Sequence, residues 1–252
     1  MARNRTLLSL LQDYRIEVGA SANPAHNSNV REAQVQALQK VQDRLWRQHD
    51  WPFLRVRRFI DLQAGQRYYD SRGAKHEDGT AASDLGIERL QTIEVRWGDE
   101  WVPLEPSIGR PQYAMWDSDT GERSWPVERW QIFEGEQFEV WPIPASNATP
   151  ATLDGRLRLT GIRDLRPLVA DDDRADLDDD LIVKWGALKS LSRSGSKDAQ
   201  VVLDEAKQIE ASLTAGFTKT KVFSLAGRDT SPVRQPRGPA RVHYRTNEPG
   251  VS

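Results

Sequence analysis

The sequence predicts an α+β protein: a helical bundle of two N-terminal and two C-terminal helices, an inserted antiparallel β domain and an extended C-terminal arm. Three observations predict it. Apolar residues recur at helical spacing near both ends of the folded part. Between residues 54 and 168 the period changes to two. Beyond residue 215 neither period is present. A β-rich run between helices that pack on each other is the pattern of an α+β fold. The parts are 1–53 (N-terminal helices), 54–168 (inserted β-rich domain), 169–215 (C-terminal helical hairpin) and 216–252 (a basic, Pro-rich arm).

Residues 3–16 place Leu7, Leu8, Leu11 and Tyr14 at helical spacing, and Gly19 and Pro24 end that segment. The small, polar residues 19–28 read as a loop. Residues 28–50 carry the clearest helix, with Val30, Ala33, Ala37, Leu38, Val41 and Leu45 in one stripe. Gln34, Gln36, Lys40, Gln42 and Arg44 fall largely off it. Ser28 or Asn29 is placed to cap this helix, with Glu32 completing a capping box. The helix must end by Trp51, because a residue before proline avoids the α region. Pro52 then stops it, and Trp51 and Phe53 are expected to wedge between the bundle and the sheet.

The strands follow. Leu54, Val56, Arg58, Ile60 and Leu62 alternate with Arg55, Arg57, Phe59 and Asp61. Ile93, Val95 and Trp97 lead to a Gly98-Asp99 hairpin signal and a return at Trp101-Val102. Trp130 and Ile132 turn at Glu134-Gly135-Glu136 into Phe138 and Val140, and Leu157 and Leu159 alternate with arginines. The polar stretch 70–86 reads as a long surface loop.

Helical spacing returns with Leu177, Leu181, Trp185, Leu188 and Leu191, and again with Val202, Ala206, Ile209 and Leu213. The short connection at Gly195 predicts an antiparallel hairpin. The arm holds Pro232, Pro236, Pro239 and Pro249 and seven Lys or Arg against two acids, a net charge of +5. Its apolar residues are Phe217, Val222, Phe223 and Leu225, then Tyr244. Among them lie Arg228, Arg234, Arg237 and Arg241, suited to bidentate bonds with a partner's carboxylates. The arm lacks regularly interleaved aromatics, so docking on a protein partner fits it better than binding nucleic acid.

Composition narrows the chemistry. The 252 residues carry 29 % charged side chains, a net charge of −2 and nine Trp, with a mean hydropathy of −0.67. That is a polar, globular chain without a basic footprint overall. With no Cys, disulfides, thiolate catalysis and Cys-based metal sites are excluded. No apolar run is long enough for a membrane helix. The N-terminal run Leu7–Leu11 is too short for a signal peptide and reads as an amphipathic helix. His26, His49, His76 and His243 show no metal-ligand spacing, and neither metal nor cofactor is expected.

Seven Asp crowd residues 170–181. A Ca²⁺ or Mg²⁺ site would want the EF-hand order, which is missing. Asp171, Asp172, Asp173, Asp178, Asp179 and Asp180 directly precede a predicted helix, where its dipole favours acids. They are expected to cap it and to leave an acidic surface. Glu134 and Glu136 could be a glycosidase pair but read as a solvated hairpin tip. The tryptophans could stack on sugar but read as core or interface anchors.

In this order, the pieces resemble the head-to-tail connector proteins (portal adaptors, or head-completion proteins) of tailed bacteriophages. The resemblance runs over about residues 5–215. It rests on an N-terminal helix running into Gly19 and a long helix ending in Asp50-Trp51-Pro52-Phe53-Leu54. Gly65-x-x-x-Tyr69 and Gly109-x-Pro111 leading toward Trp116 come next. Phe138-Glu139-Val140-Trp141-Pro142-x-Pro144 then closes the β region, and an acidic stretch feeds a helix opening Leu181-Ile182-Val183. The resemblance implies a structural virion protein, not an enzyme. It implies a homo-oligomeric ring, twelvefold in many such proteins, in the neck between the portal and downstream tail, nozzle or terminator proteins. A C-terminal segment would reach the portal, and DNA would pass through without specific binding or membrane contact. The alternatives are another phage neck or tail-completion factor, a β-rich carbohydrate-binding module, or a hydrolase using acidic pairs.

Overall fold

The computed structural model describes residues 3–21, 23, 29–115 and 121–217. Those residues give an α+β architecture with a helical core, a second core between two sheets and a third, small cluster of Ile108, Trp141 and Ile143. Helix α1 (Leu7–Glu17) and helix α2 (Arg31–Gln48) precede the strands. They are followed by β1 (Arg55–Asp61), β2 (Tyr68–Asp70), β3 (Leu90–Trp97), β4 (Glu100–Pro103) and β5 (Glu105–Pro106). A short helix α3 (Arg110–Met115) leads to β6 (Arg129–Phe133), β7 (Gln137–Trp141) and β8 (Arg156–Ile162). Helices α4 (Asp179–Ser194) and α5 (Asp198–Thr214) close the body, which forms one compact unit ending at Phe217.

The helical core joins Leu7, Leu10 and Leu11 of α1 to Leu38 and Leu45 of α2 and to Leu181, Ile182 and Ala187 of α4. α1 and α2 close on α4 where Gly186 sits: a Cβ there would lie 3.0 Å from Leu38 and 3.4 Å from Tyr14. α4 ends at Gly195, whose φ of 69° is the left-handed conformation that lets the N–H groups turn back to the Leu191 and Ser192 carbonyls. α5 returns along α4 and buries Val202, Ala206 and Leu213.

The strands make two four-stranded sheets, ordered β1-β8-β3-β4 and β2-β7-β6-β5. All pairings are antiparallel except β5 with β6. Ile93, Val95, Leu157 and Leu159 of the first sheet share a core with Tyr69, Trp130, Phe138 and Val140 of the second. The parallel pair is possible because a connection carrying α3 separates β5 from β6. Gly161 on β8 permits a register shift in β3: a Cβ there would stand 2.5 Å from the Arg89 carbonyl oxygen.

Four expectations need correction. Val30 occupies the cap of α2, with no side-chain cap bond; Ser28 lies outside the described residues, and Glu32 falls in the first turn. Gln34 and Gln42 are buried rather than outside the stripe, Gln34 because it accepts a 3.0 Å hydrogen bond from Arg15 Nε. The stretch 70–86 is not a loose loop. It bonds to β1 through Phe59 and Lys75 and buries Ala74, Ala82 and Leu85, so Arg58 and Phe59 are both covered. Arg58 meets Asp84 there at 2.7 and 2.6 Å. Finally, strand alternation fails at the hairpin tips, where Trp97 is 48 % and Ile132 56 % exposed, because nothing packs over a sheet's end.

Candidate assembly surfaces

The junction is built around Trp51. Its side chain is fully buried in the helical core, and its indole N–H donates to the Leu45 carbonyl at 3.0 Å. Leu54, just before β1, and Ile162, the last residue of β8, sit at the same end of the β1–β8 pair, enter the same core and form the joint. Pro52 opens the short 3-10 turn that redirects the chain. Phe53 stays at the rim of the wedge: its ring centre is 5.7 Å from that of Trp51, but it is 39 % exposed, with the Arg3 guanidinium 4.0 Å over its ring.

What fills the other side of Trp51 is Phe217, edge-on with ring centres 5.4 Å apart. This places the start of the arm beside the α2–β1 junction. The contact is buttressed by Glu210, which bonds the His49 ring at 2.8 Å and accepts from the Trp185 indole N–H at 3.0 Å. Val222, Phe223, Leu225, Arg228, Arg234, Arg237, Arg241 and Tyr244 lie outside the described residues.

The acidic run divides into inward and outward members. Asp178 caps α4, accepting the Leu181 N–H at 3.1 Å. Asp179 is buried and accepts the Arg5 N–H at 3.3 Å. Burial pushes both carboxyls above the ordinary carboxylate range, against the amide bonds that lower them. Asp173 caps its own loop, accepting from the Val169 and Ala170 amides at 2.7 Å each, which lowers its pKa. The same loop serves α1: the carbonyls of Asp173 and Asp171 accept the Leu7 and Leu8 N–H groups. One acidic loop therefore finishes the N-termini of two helices. Asp171, Asp172 and Asp180 are exposed, and Asp171 pairs with Arg31.

The most consequential acid in the run, Asp176, carried no separate signal in the sequence. Its side chain is fully buried and meets Arg163 at 2.5 Å and Arg166 at 2.8 Å, with the Arg166 amide at 2.7 Å. Burial alone would raise this carboxyl, but the arginines and the amide hold it below the ordinary range. It ties the strand leaving β8 to the loop entering α4. Glu139 does similar work in the second sheet. Fully buried, it accepts from Arg67 at 2.7 Å, from the Tyr113 hydroxyl at 2.9 Å and from Gln131 at 3.0 Å. Burial and this carboxylate push the Tyr113 phenol upward, so it remains a donor and pins α3 to the sheet.

These networks are closed and structural in geometry, and the exposed features are surfaces suited to partners. A family model of the SU10 adaptor protein matches residues 5–237. The chain belongs to the SU10 adaptor protein family. A comparison with curated proteins finds no match. The SU10 adaptor match places the chain among bacteriophage structural proteins. It also passes Phe217 and takes in Val222, Phe223, Leu225, Arg228, Arg234 and Arg237, whereas Arg241 and Tyr244 fall beyond it. Among the described residues, no helix is long and apolar enough to cross a membrane.

Proposed function

We propose that this SU10-family adaptor forms a ring, twelvefold by likeness to other connectors, between portal and tail in the virion neck. The arm beyond Phe217 is its docking segment. The observation that carries this reading is the Phe217–Trp51 contact: it fixes the arm's point of departure on the body, while the family match continues past it. Thirty-five residues follow Phe217, a contour of up to about 115 Å at roughly 3.3 Å per residue. That is ample to reach a second protein. Proline fixes φ in advance and lowers the entropy lost on docking, and many arms acting together gain avidity. DNA passes through such a ring without specific contacts. Asp171, Asp172 and Asp180 are the outward acids available to an acidic lumen. The role is structural and asks for neither catalysis nor cofactor.

The test is co-sedimentation and imaging of purified portal with full-length protein and with a chain ending at Phe217. Full-length protein is expected to decorate the portal and the shortened chain to be lost from it. Undiminished occupancy by the shortened chain would move the joint onto the helical body.

A further inference from the structure

We infer that the groove between α2 and α4 of one copy receives α5 of the next copy. This rests on the ring reading and deepens it, since it names the two faces that meet.

The groove has a volume of about 530 Å³. Its floor is Ala37, Val41, Trp185 and Leu188. Its walls are Lys40 and Arg44 from α2 and Lys189 and Arg193 from α4, and no acid lines it. Among the described residues none of these four cations makes an ion pair, although the protein as a whole carries −2. Arg44 is already held, its guanidinium 4.2 Å over the Trp185 ring. A Trp and a held Arg at the edge of an apolar floor are the residue types that dominate binding energy at interfaces.

The complementary face is on α5. Val201 is 59 % exposed. Asp198 and Asp204 flank it at three residues on either side, and Glu205 follows at four. Lys197 lies at the cap, and Glu205 is already paired with Lys184, which leaves Asp198 and Asp204 as the acids for a partner. The two carboxylates stand about 9 Å apart along the helix, and the cations of each groove wall about 6 Å apart, at ~1.5 Å per residue. Long basic side chains bridge that difference. Val201 enters the apolar floor while the acids meet the walls.

The faces lie on different flanks of one copy. Lys207, Glu210, Ala211 and Thr214 of α5 border a second depression that shares Arg44 and Trp185 with the groove. Val201 lies about 80° round α5 from Ala211 and about 120–180° from the other three, at ~100° per residue. Glu205 reaches Lys184 on the side where Glu17 of α1 also bonds it. Two unlike patches on different flanks make a heterologous contact, the kind that closes into rings. The chain's own arm is the poorer occupant: its charge of +5 opposes four cations.

The chain has no Cys, so introduced thiols report without background. A full-length chain carrying both Val201→Cys and Ser192→Cys, gathered on purified portal and mildly oxidised, is expected to give a ladder of covalent multimers. Either single variant is expected to remain monomeric. Adding Lys189→Glu and Arg193→Glu should cut the ladder by about tenfold, and adding Asp198→Lys and Asp204→Lys to that chain should restore it. Dimers from Val201→Cys alone, a ladder indifferent to these charges, or no ladder would each overturn the inference. So would capture of labelled duplex DNA that is lost with Lys189→Glu and Arg193→Glu while no ladder forms. Protein that co-sediments with portal but gives no ladder leaves the adaptor reading standing and removes only this pairing of faces.

Discussion

At the scale of single residues, burial separates neighbours that look alike in sequence. Trp51 and Phe53 are both large aromatics at one junction, yet one is enclosed and the other 39 % exposed. Trp51→Ala should therefore destabilise the fold by about 3–5 kcal/mol, whereas Phe53→Ala should stay within about 1 kcal/mol, the scale of an exposed cation–π contact. Urea unfolding of the two variants checks this; equal losses would mean Phe53 is held by more than its rim contacts with Arg3 and Trp51. Asp176→Asn breaks a buried pair and should cost about 3 kcal/mol, the low end for such pairs, because Arg166 is half exposed. The pH dependence has a definite sign. Asp176 is held below its ordinary range, so it stabilises above about pH 4 and that contribution is lost as the pH falls. Asp178 and Asp179 are raised, so their protonation favours the fold just above that range. Stability is expected to hold on mild acidification and then fall, with a shallower fall in Asp176→Asn, read by urea midpoints across pH 3–7.

At the scale of elements, two details decide whether strands and helices start correctly. Gly161 sits where β8 meets the shifted register of β3, with the Arg89 carbonyl inside the volume a methyl would need. Gly161→Ala should cost about 1–3 kcal/mol through forced backbone movement, seen as a lower melting temperature. A neutral result would mean that β3 can slide. Asp178 accepts the Leu181 N–H at the start of α4; Asp178→Ala should cost about 1 kcal/mol, also by thermal melt. Charge alone does not account for its role, since exposed Asp180 lies two residues on and caps nothing among the described residues.

At the scale of the whole molecule, the folded body and the arm meet at Phe217. Shortening the chain to end at Thr214 should lower stability by about 1 kcal/mol more than ending it at Phe217, because only the first cut uncovers Trp51. Differential unfolding of the two shortened chains tests this. Equal stability would mean that the Phe217 ring is not seated in solution.

Much of the fold was legible because it is written in local periods. The stripe of Leu38, Val41 and Leu45, the Gly98 and Gly135 turns, and the Asp-rich entry to α4 each report a backbone state through spacing or turn chemistry that no distant residue can alter. The Pro-rich, basic character of the arm is likewise a property of composition. Tertiary structure alone decided which strands pair into two sheets, since a strand's pattern says that one face is buried but not against what. It alone brought Asp176 to Arg163 and Arg166, Glu139 to Tyr113, and Phe217 to Trp51, pairs separated by 10 to 166 residues. It alone turned Lys40 and Arg44 toward Lys189 and Arg193 across an apolar floor. A charge's neighbours across a groove are set by how helices cross, and helix crossing depends on the packing of whole side-chain surfaces, which no short window of sequence contains.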